Sequence, residues 1–226
     1  MIRQQTINTE DVVIYKAGLR GITGTGIQQQ CTFNFGSYSN EHRYPFRQLK
    51  FVNDVFLPAG QFMALEAYDE YNLLILPVIG GVEVHHNGET VFTGAEQYFW
   101  KLQHDRVSVS NPFPANEVNF LLIAFDSTNT EAEYTGVVDL TQKNRLETFI
   151  RFSEQKISMG IYEGRQEDLY KRMLPGAGLF CMVLRGVFEV TGRLLHTRDA
   201  IHFYHDAEIE FEALSEDAII LVIETI

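Results

Sequence analysis

The chain has 226 residues, 45% hydrophobic and 21% charged, which are ordinary values for a globular protein able to bury a core. Its net charge of −12, with Lys and Arg spread singly, argues against nucleic acids and anionic membranes as partners, because both attract clustered cations. Two widely separated cysteines, a polar acidic start and short apolar runs predict a reduced, cytoplasmic protein with no disulfide framework and no membrane span.

Strand signals dominate the first half of the chain. Aromatic residues make up 12% of the sequence, and short apolar or alternating runs are separated by Gly, Pro and Asn. Asn87-Gly88 predicts a two-residue hairpin turn, because a type I′ turn needs positive φ at both central positions. The predicted strands are residues 48–52, 61–65, 73–79, 81–85 and 119–125.

The second half repeats the pattern of the first. A polar stretch at residues 126–136 reads as a linker, and strand signals resume at Ile157. The run VIGGVEV at 78–84, followed by Asn87-Gly88, is echoed by VLRGVFEV at 183–190, followed by Thr191-Gly192. The same order in both halves predicts a duplicated β module that forms barrels or sandwiches.

Several short motifs resemble the pirin family, a bicupin family that includes quercetinase-like enzymes. They are KAGLRG at 16–21, CTFNF at 31–35, LKFVND at 49–54, the segment 180–186 and LHTRD at 195–199. The resemblance implies an all-β bicupin of two tandem, jelly-roll-like cupin barrels. The N-terminal barrel would span residues 1–128 and the C-terminal barrel residues 129–226.

The resemblance also implies where a metal would bind. Metal-bearing pirins hold the ion with two His of an H-P-H segment and with the His and Glu of an H-S-E segment. By spacing these positions fall on Glu66, Tyr68, Val107 and Val109. Valine has no lone pair to donate, so we expect no metal cofactor. The alternative is a divalent transition metal such as Fe, Ni or Zn.

The same alignment identifies candidate pocket residues. They are Glu66, Tyr68, Tyr71, Cys31, Val107, Val109 and His104. Glu66 is expected to face the interior, where it either helps to bind a small molecule or pairs with a cation such as Arg106. His104 reads as a loop residue that a shifted register would bring inwards, and His85 and His86 read as an exposed hairpin tip. No catalytic residue is assigned.

Three classes of function remain at this point. The first is a metal-free bicupin that binds a small molecule or a protein partner in a regulatory role. The second is an enzyme, either a metal-dependent oxidoreductase of the quercetin 2,3-dioxygenase type or a cupin isomerase that uses Glu66 and a histidine. The loss of the ligands argues against the dioxygenase, because the metal activates its substrate. The third is a homo-oligomer subunit, since cupin barrels have sheet edges that can pair.

Overall fold

The structure, a computed structural model, describes residues 12–127 and 134–226. Within these ranges no helix is long and apolar enough to cross a membrane. Short 3-10 turns occur at Ala17–Leu19 and Glu66–Tyr68. The strands up to residue 127 are β1 (Val12–Tyr15), β2 (Gly21–Thr23), β3 (Gln28–Cys31), β4 (Leu49–Leu57), β5 (Phe62–Ala64), β6 (Asn72–Ile79), β7 (Gly81–His86), β8 (Glu89–Gly94), β9 (Gln97–Lys101), β10 (Val107–Ser110) and β11 (Val118–Phe125).

The remaining described residues form a second set of strands. They are β12 (Thr135–Val137), β13 (Glu147–Arg151), β14 (Gln155–Tyr162), β15 (Glu167–Lys171), β16 (Gly178–Arg185), β17 (Val187–Val190), β18 (Arg193–His196), β19 (Ala200–Phe203), β20 (Glu208–Ala213) and β21 (Ala218–Thr225). The protein is therefore all-β, as the sequence predicts.

Each half of the molecule pairs one large sheet with one four-stranded sheet. In the N-terminal half the orders are β12-β9-β6-β11-β4-β3-β2 and β5-β10-β7-β8. In the C-terminal half they are β1-β19-β16-β21-β14-β13 and β15-β20-β17-β18. Two facing antiparallel sheets in each half are the jelly-roll arrangement expected of a bicupin.

Three apolar clusters separate these four layers. One fills the interior of the N-terminal half, between its two sheets, and another fills the interior of the C-terminal half. The third lies between the two large sheets and joins the halves. Large-sheet strands are thus buried on both faces, which explains the continuous apolar runs of β11 and β16. The outer sheets alternate instead, as in EIEFEA of β20.

The duplicated pattern is a structural repeat. Gly80 and Gly186 each join a large-sheet strand to a strand of the outer sheet, with φ of 77° and 83°. Asn87-Gly88 forms the predicted hairpin turn, with φ of 51° and 83°, and Thr191-Gly192 forms its counterpart. Glycine avoids the steric cost that a side chain incurs at positive φ.

Two strands cross between the halves. β1 pairs with β19 of the C-terminal half, with Tyr15 opposite Ala200, and β12 pairs with β9 of the N-terminal half. The boundary predicted between residues 128 and 129 lies outside the described residues and stays a prediction.

Candidate functional site

The two segments at which the resemblance places metal ligands are neighbours in space. β5 and β10 are paired, with Ala64 opposite Ser108, and the Leu65 N–H donates to the Val107 carbonyl oxygen at 3.0 Å. Val107 and Val109 are buried and belong to the apolar cluster of the N-terminal half. The two segments that the alignment selected are therefore in contact with each other.

Glu66 does not point into this interior. Its side chain is exposed, because Leu65 at φ −106°, ψ 11° ends the extended backbone and the chain enters a 3-10 turn. The alternation of inward and outward side chains stops at that point. The prediction of an inward Glu66 is therefore wrong. Arg106, its proposed partner, is also exposed.

Tyr68 lies in the same turn and is buried within the interior. Its hydroxyl oxygen accepts a hydrogen bond from Gln29 Nε2 at 3.1 Å, and Gln29 Oε1 accepts one from Asn53 Nδ2 at 3.0 Å. Burial raises the pKa of Tyr68, although the Gln29 hydrogen bond opposes the shift. The phenol is therefore neutral at physiological pH and linked to a chain of amides.

Asn53 is the last residue in this row of hydrogen-bonded side chains, and one of its acceptor atoms is unused. It is fully buried, and its Oδ1 has no hydrogen-bond partner among the described residues. Cys31 faces Asn53 directly across the β3–β4 pair, and its Sγ lies 3.7 Å from Thr23 Oγ1. Burial raises the pKa of the Cys31 thiol, which keeps it protonated. Sequence reasoning included Cys31 but missed Gln29 and Asn53, although Asn53 lies in one of the quoted motifs.

The other candidates lie at the margins of this interior. Tyr71 is half-buried and meets the Phe51 ring edge-on, with centroids 5.9 Å apart. His104 is exposed in the β9–β10 loop, where its backbone N–H donates to the Asp69 carbonyl oxygen at 2.8 Å. Its imidazole therefore lies outside the interior.

His86 is not the exposed tip that the Asn-Gly turn suggested. The ring is half-buried, with centroids 4.6 Å from Tyr134 and 5.7 Å from Phe99, and its Nε2 lies 3.5 Å from Asp105 Oδ2. It pairs with Val107 across β7 and β10, at one of the positions that the resemblance aligns with a metal ligand. Its even spacing from the inward Val84 was the sequence signal for this placement.

The residues at the four ligand positions do not fit a transition-metal ion. They supply one exposed carboxylate, one phenol that already accepts a hydrogen bond, and two valines. Across residues 12–127 and 134–226, no three His, Cys, Asp or Glu side chains come together in a group that could hold a metal. Protein sites for such ions use at least three N, O or S donors.

Comparison with known proteins finds a cupin-domain match in the C-terminal half of the chain. Residues 153–225 match the family model described as the quercetinase C-terminal cupin domain. A sequence search of curated proteins found no significant match.

Solved structures share the fold over almost the whole chain. The bacterial pirin YhhW from Escherichia coli, in complex with nickel(II), superposes with a TM-score of 0.82 and 14% identity, covering 95% of this chain and 98% of that one. Quercetin 2,3-dioxygenase from Acinetobacter baumannii superposes with a TM-score of 0.68 and 12% identity, covering 95% and 78%. At these identities the matches show a common fold, and the nickel and the dioxygenase name belong to those proteins.

Proposed function

We propose that the chain is a pirin-like cupin protein that works without a metal and binds a small uncharged molecule in its N-terminal half. The observation that carries the proposal is Asn53 Oδ1, an acceptor with no partner among the described residues, buried beside the Gln29–Tyr68 hydrogen bond. A buried acceptor left unpaired costs about 1–3 kcal/mol. A ligand that donates a hydrogen bond to it recovers that free energy.

The surroundings of Asn53 define the chemistry of the ligand. Phe35 and Phe51 pack against Tyr68, with ring centroids 5.8 Å and 5.6 Å from it, so the wall beside the amide chain is aromatic. The neutral Tyr68 and Cys31 side chains offer no charge to pair with an ion. We therefore infer an aromatic or apolar ligand that carries one hydroxyl or N–H donor.

Binding of phenol, catechol and quercetin tests the proposal. Calorimetric titration and the thermal midpoint of unfolding are measured for the wild type and for Asn53→Leu, which removes the free acceptor while keeping a side chain of similar size. We expect at least one probe to bind the wild type and to lose about two- to tenfold in affinity with the variant, because a hydrogen bond is worth about 0.5–1.5 kcal/mol and the neighbouring aromatic rings remain.

Asn111→Leu is the matched control. Asn111 is also a buried asparagine, but both ends of its amide are used: Nδ2 donates to the Leu57 and Asn116 carbonyl oxygens, and Oδ1 accepts the Phe113 N–H. This variant is expected to lose more stability than Asn53→Leu and to keep its affinity. Equal affinity of the wild type and Asn53→Leu for every probe contradicts the proposal.

Elemental analysis and oxygen consumption separate this function from a quercetinase. We expect untagged protein to contain no stoichiometric Fe, Ni, Cu, Mn or Zn, and to consume no oxygen with quercetin, because the residues at the ligand positions lack the donors. One equivalent of metal, or metal-dependent oxygen uptake, favours the oxidoreductase instead. The cupin isomerase is disfavoured because its assigned acid–base group, Glu66, is exposed outside the interior.

A further inference from the structure

The interior of the C-terminal half contains a polar group of side chains unrelated to the site above. Lys156 on β14 lies directly opposite Glu224 on β21. One step further along the same face, Ser158 lies opposite Val222, which lies opposite Cys181 on β16. This face belongs to the apolar cluster of the C-terminal half, so the charges of Lys156 and Glu224 are withdrawn from water.

Glu224 already has its hydrogen-bond partners. Its Oε2 accepts from the Tyr170 hydroxyl at 2.8 Å, and its Oε1 accepts from the backbone N–H groups of Met173 and Leu174. These bonds hold the segment after β15 over the interior and account for the buried carboxylate.

Lys156 has no comparable partner. Its Nζ lies 2.9 Å from Met173 Sδ and 4.8 Å from the centroid of the Tyr170 ring. In the described part of the chain it forms no ion pair, whereas the buried Lys101 donates to the Leu102 carbonyl oxygen at 3.0 Å and lies 3.9 Å from Asp69. Burial lowers the pKa of Lys156, although the negative charge of Glu224 opposes this shift. A larger fraction of the side chain is therefore the neutral amine at a given pH.

We propose that Lys156 is a nucleophilic amine that forms a Schiff base with a small, uncharged aldehyde or ketone. The Glu224 carboxylate beside it disfavours an anionic ligand, and the packed rings of Tyr162, Phe188 and Phe211 limit its size. Met173, whose side chain touches the amine, is largely exposed and marks the side from which a ligand reaches it.

The reaction needs no other reactant. The amine lone pair of Lys156 forms a C–N bond to the carbonyl carbon, and the C–O bond breaks after the oxygen has gained two protons and leaves as water. In the overall reaction, the lysine ammonium and the carbonyl compound give a protonated imine and one water molecule. Glu224, opposite Lys156 on the neighbouring strand, and Tyr170, which is hydrogen-bonded to it, are the groups near the amine that can exchange these protons.

Reductive trapping tests the proposal. The full chain is treated near neutral pH with acetaldehyde and sodium cyanoborohydride, and ethylation of each lysine is followed by peptide mass spectrometry. We expect Lys156 to react several-fold faster than the exposed Lys143, because burial lowers the pKa of Lys156 whereas the hydrogen bond and charge of Asp217 raise the pKa of Lys143. Lys101 is the matched control, since it is buried but hydrogen-bonded to a carbonyl oxygen and should react slowly.

Two further measurements make the result decisive. Met173→Ala should speed the labelling of Lys156 and leave Lys143 unchanged. The labelling rate should also reach half its maximum at lower pH for Lys156 than for Lys143. The titratable and charged groups that face the Lys156 amine are Glu224, Tyr170 and Arg151. Labelling of Lys156 no faster than Lys143 in the wild type overturns the proposal. Phenol binding at Asn53 is measured separately, so either site can fail without the other.

Discussion

Arg198 and Asp54 join the two halves of the molecule through a buried ion pair, with Arg198 Nε 2.7 Å from Asp54 Oδ2. Arg20 NH1 approaches the same carboxylate oxygen at 3.1 Å, and Asn119 Nδ2 donates to Asp54 Oδ1 at 2.7 Å. Lys16, in the same motif as Arg20, pairs with Asp199 at 2.8 Å. Three of the motifs that carry the pirin resemblance therefore meet at the junction between the halves.

Asp54→Asn should destabilise the whole protein. It leaves the buried guanidinium of Arg20 and the partly buried one of Arg198 without their carboxylate, and breaking a buried ion pair typically costs about 3–5 kcal/mol in unfolding free energy. Urea unfolding followed by fluorescence measures the loss. The control is Asp217→Asn, which breaks the exposed pair with Lys143 at 2.7 Å and should change the unfolding midpoint little. Equal midpoints for the two variants contradict this account.

The pH dependence of stability should contain a contribution from Asp199. Burial alone raises the pKa of this carboxyl, but hydrogen bonds from Lys16 and from the backbone N–H groups of Ala17 and His196 outweigh it and lower the pKa. Because the pKa is lower in the folded state, the carboxyl stabilises the fold fully at pH values above its pKa in the unfolded chain, about 3.9. This stabilisation is lost as the pH falls through the pKa of the folded state.

Asp199→Asn removes that contribution at neutral pH. We expect the variant to unfold at lower urea concentration than the wild type at about pH 7, and the two curves to converge as the pH falls below about 4. The exposed Asp126, 2.9 Å from Lys50, gives the control variant Asp126→Asn, which should unfold near the wild-type midpoint at about pH 7. A constant gap between Asp199→Asn and the wild type at all pH values would rule out the assignment.

Much of the fold follows from local sequence patterns. Strands buried on both faces have continuous apolar runs, and strands of the outer sheets alternate apolar and polar residues. Asn87-Gly88 indicates its turn because few other residues accept the dihedral angles of that turn. The exchange of β1 into the C-terminal half has no local signal. It depends on pairing with β19, far away in the sequence, and on the Lys16–Asp199 bond.

The site was only partly predictable for a related reason. Spacing predicted that Val107 and Val109 face the interior, and both are buried there, but a single turn beginning at Leu65 makes Glu66 face outwards. The partners of Tyr68 come from β3 and β4, which no spacing rule connects to residue 68. Side-chain direction at the end of a strand and long-range amide pairing both require the tertiary structure.

The glycine that repeats in both halves offers a test of local strain. Gly186→Ala combines positive φ, at 83°, with a Cβ that would contact Ser215 Oγ and lie 2.8 Å from Ala218 Cβ. Gly192→Ala has a similar φ of 72° but no atom within 4 Å of the new Cβ. We expect the second variant to lose about 1–2 kcal/mol in unfolding free energy and the first about 1–3 kcal/mol more. Chemical denaturation of both variants measures the difference, and equal losses would show that the crowding is relieved.

Val109→Glu tests whether the position aligned with the pirin ligand glutamate can accept a charge. The new carboxylate would lie between Val84 and Met63 in the apolar interior, with Glu66 turned outwards and no histidine at position 107. We expect a loss of several kcal/mol in unfolding free energy, because an unpaired buried carboxylate is costly, and no recovery when nickel(II) is added. Ser108→Glu is the matched control on the next residue, whose side chain lies on the opposite face of β10 and is partly exposed, and it should unfold near the wild-type midpoint. If nickel restored the stability of Val109→Glu, the neighbouring side chains would be able to complete a metal site. That result would contradict the conclusion that they supply too few donor atoms.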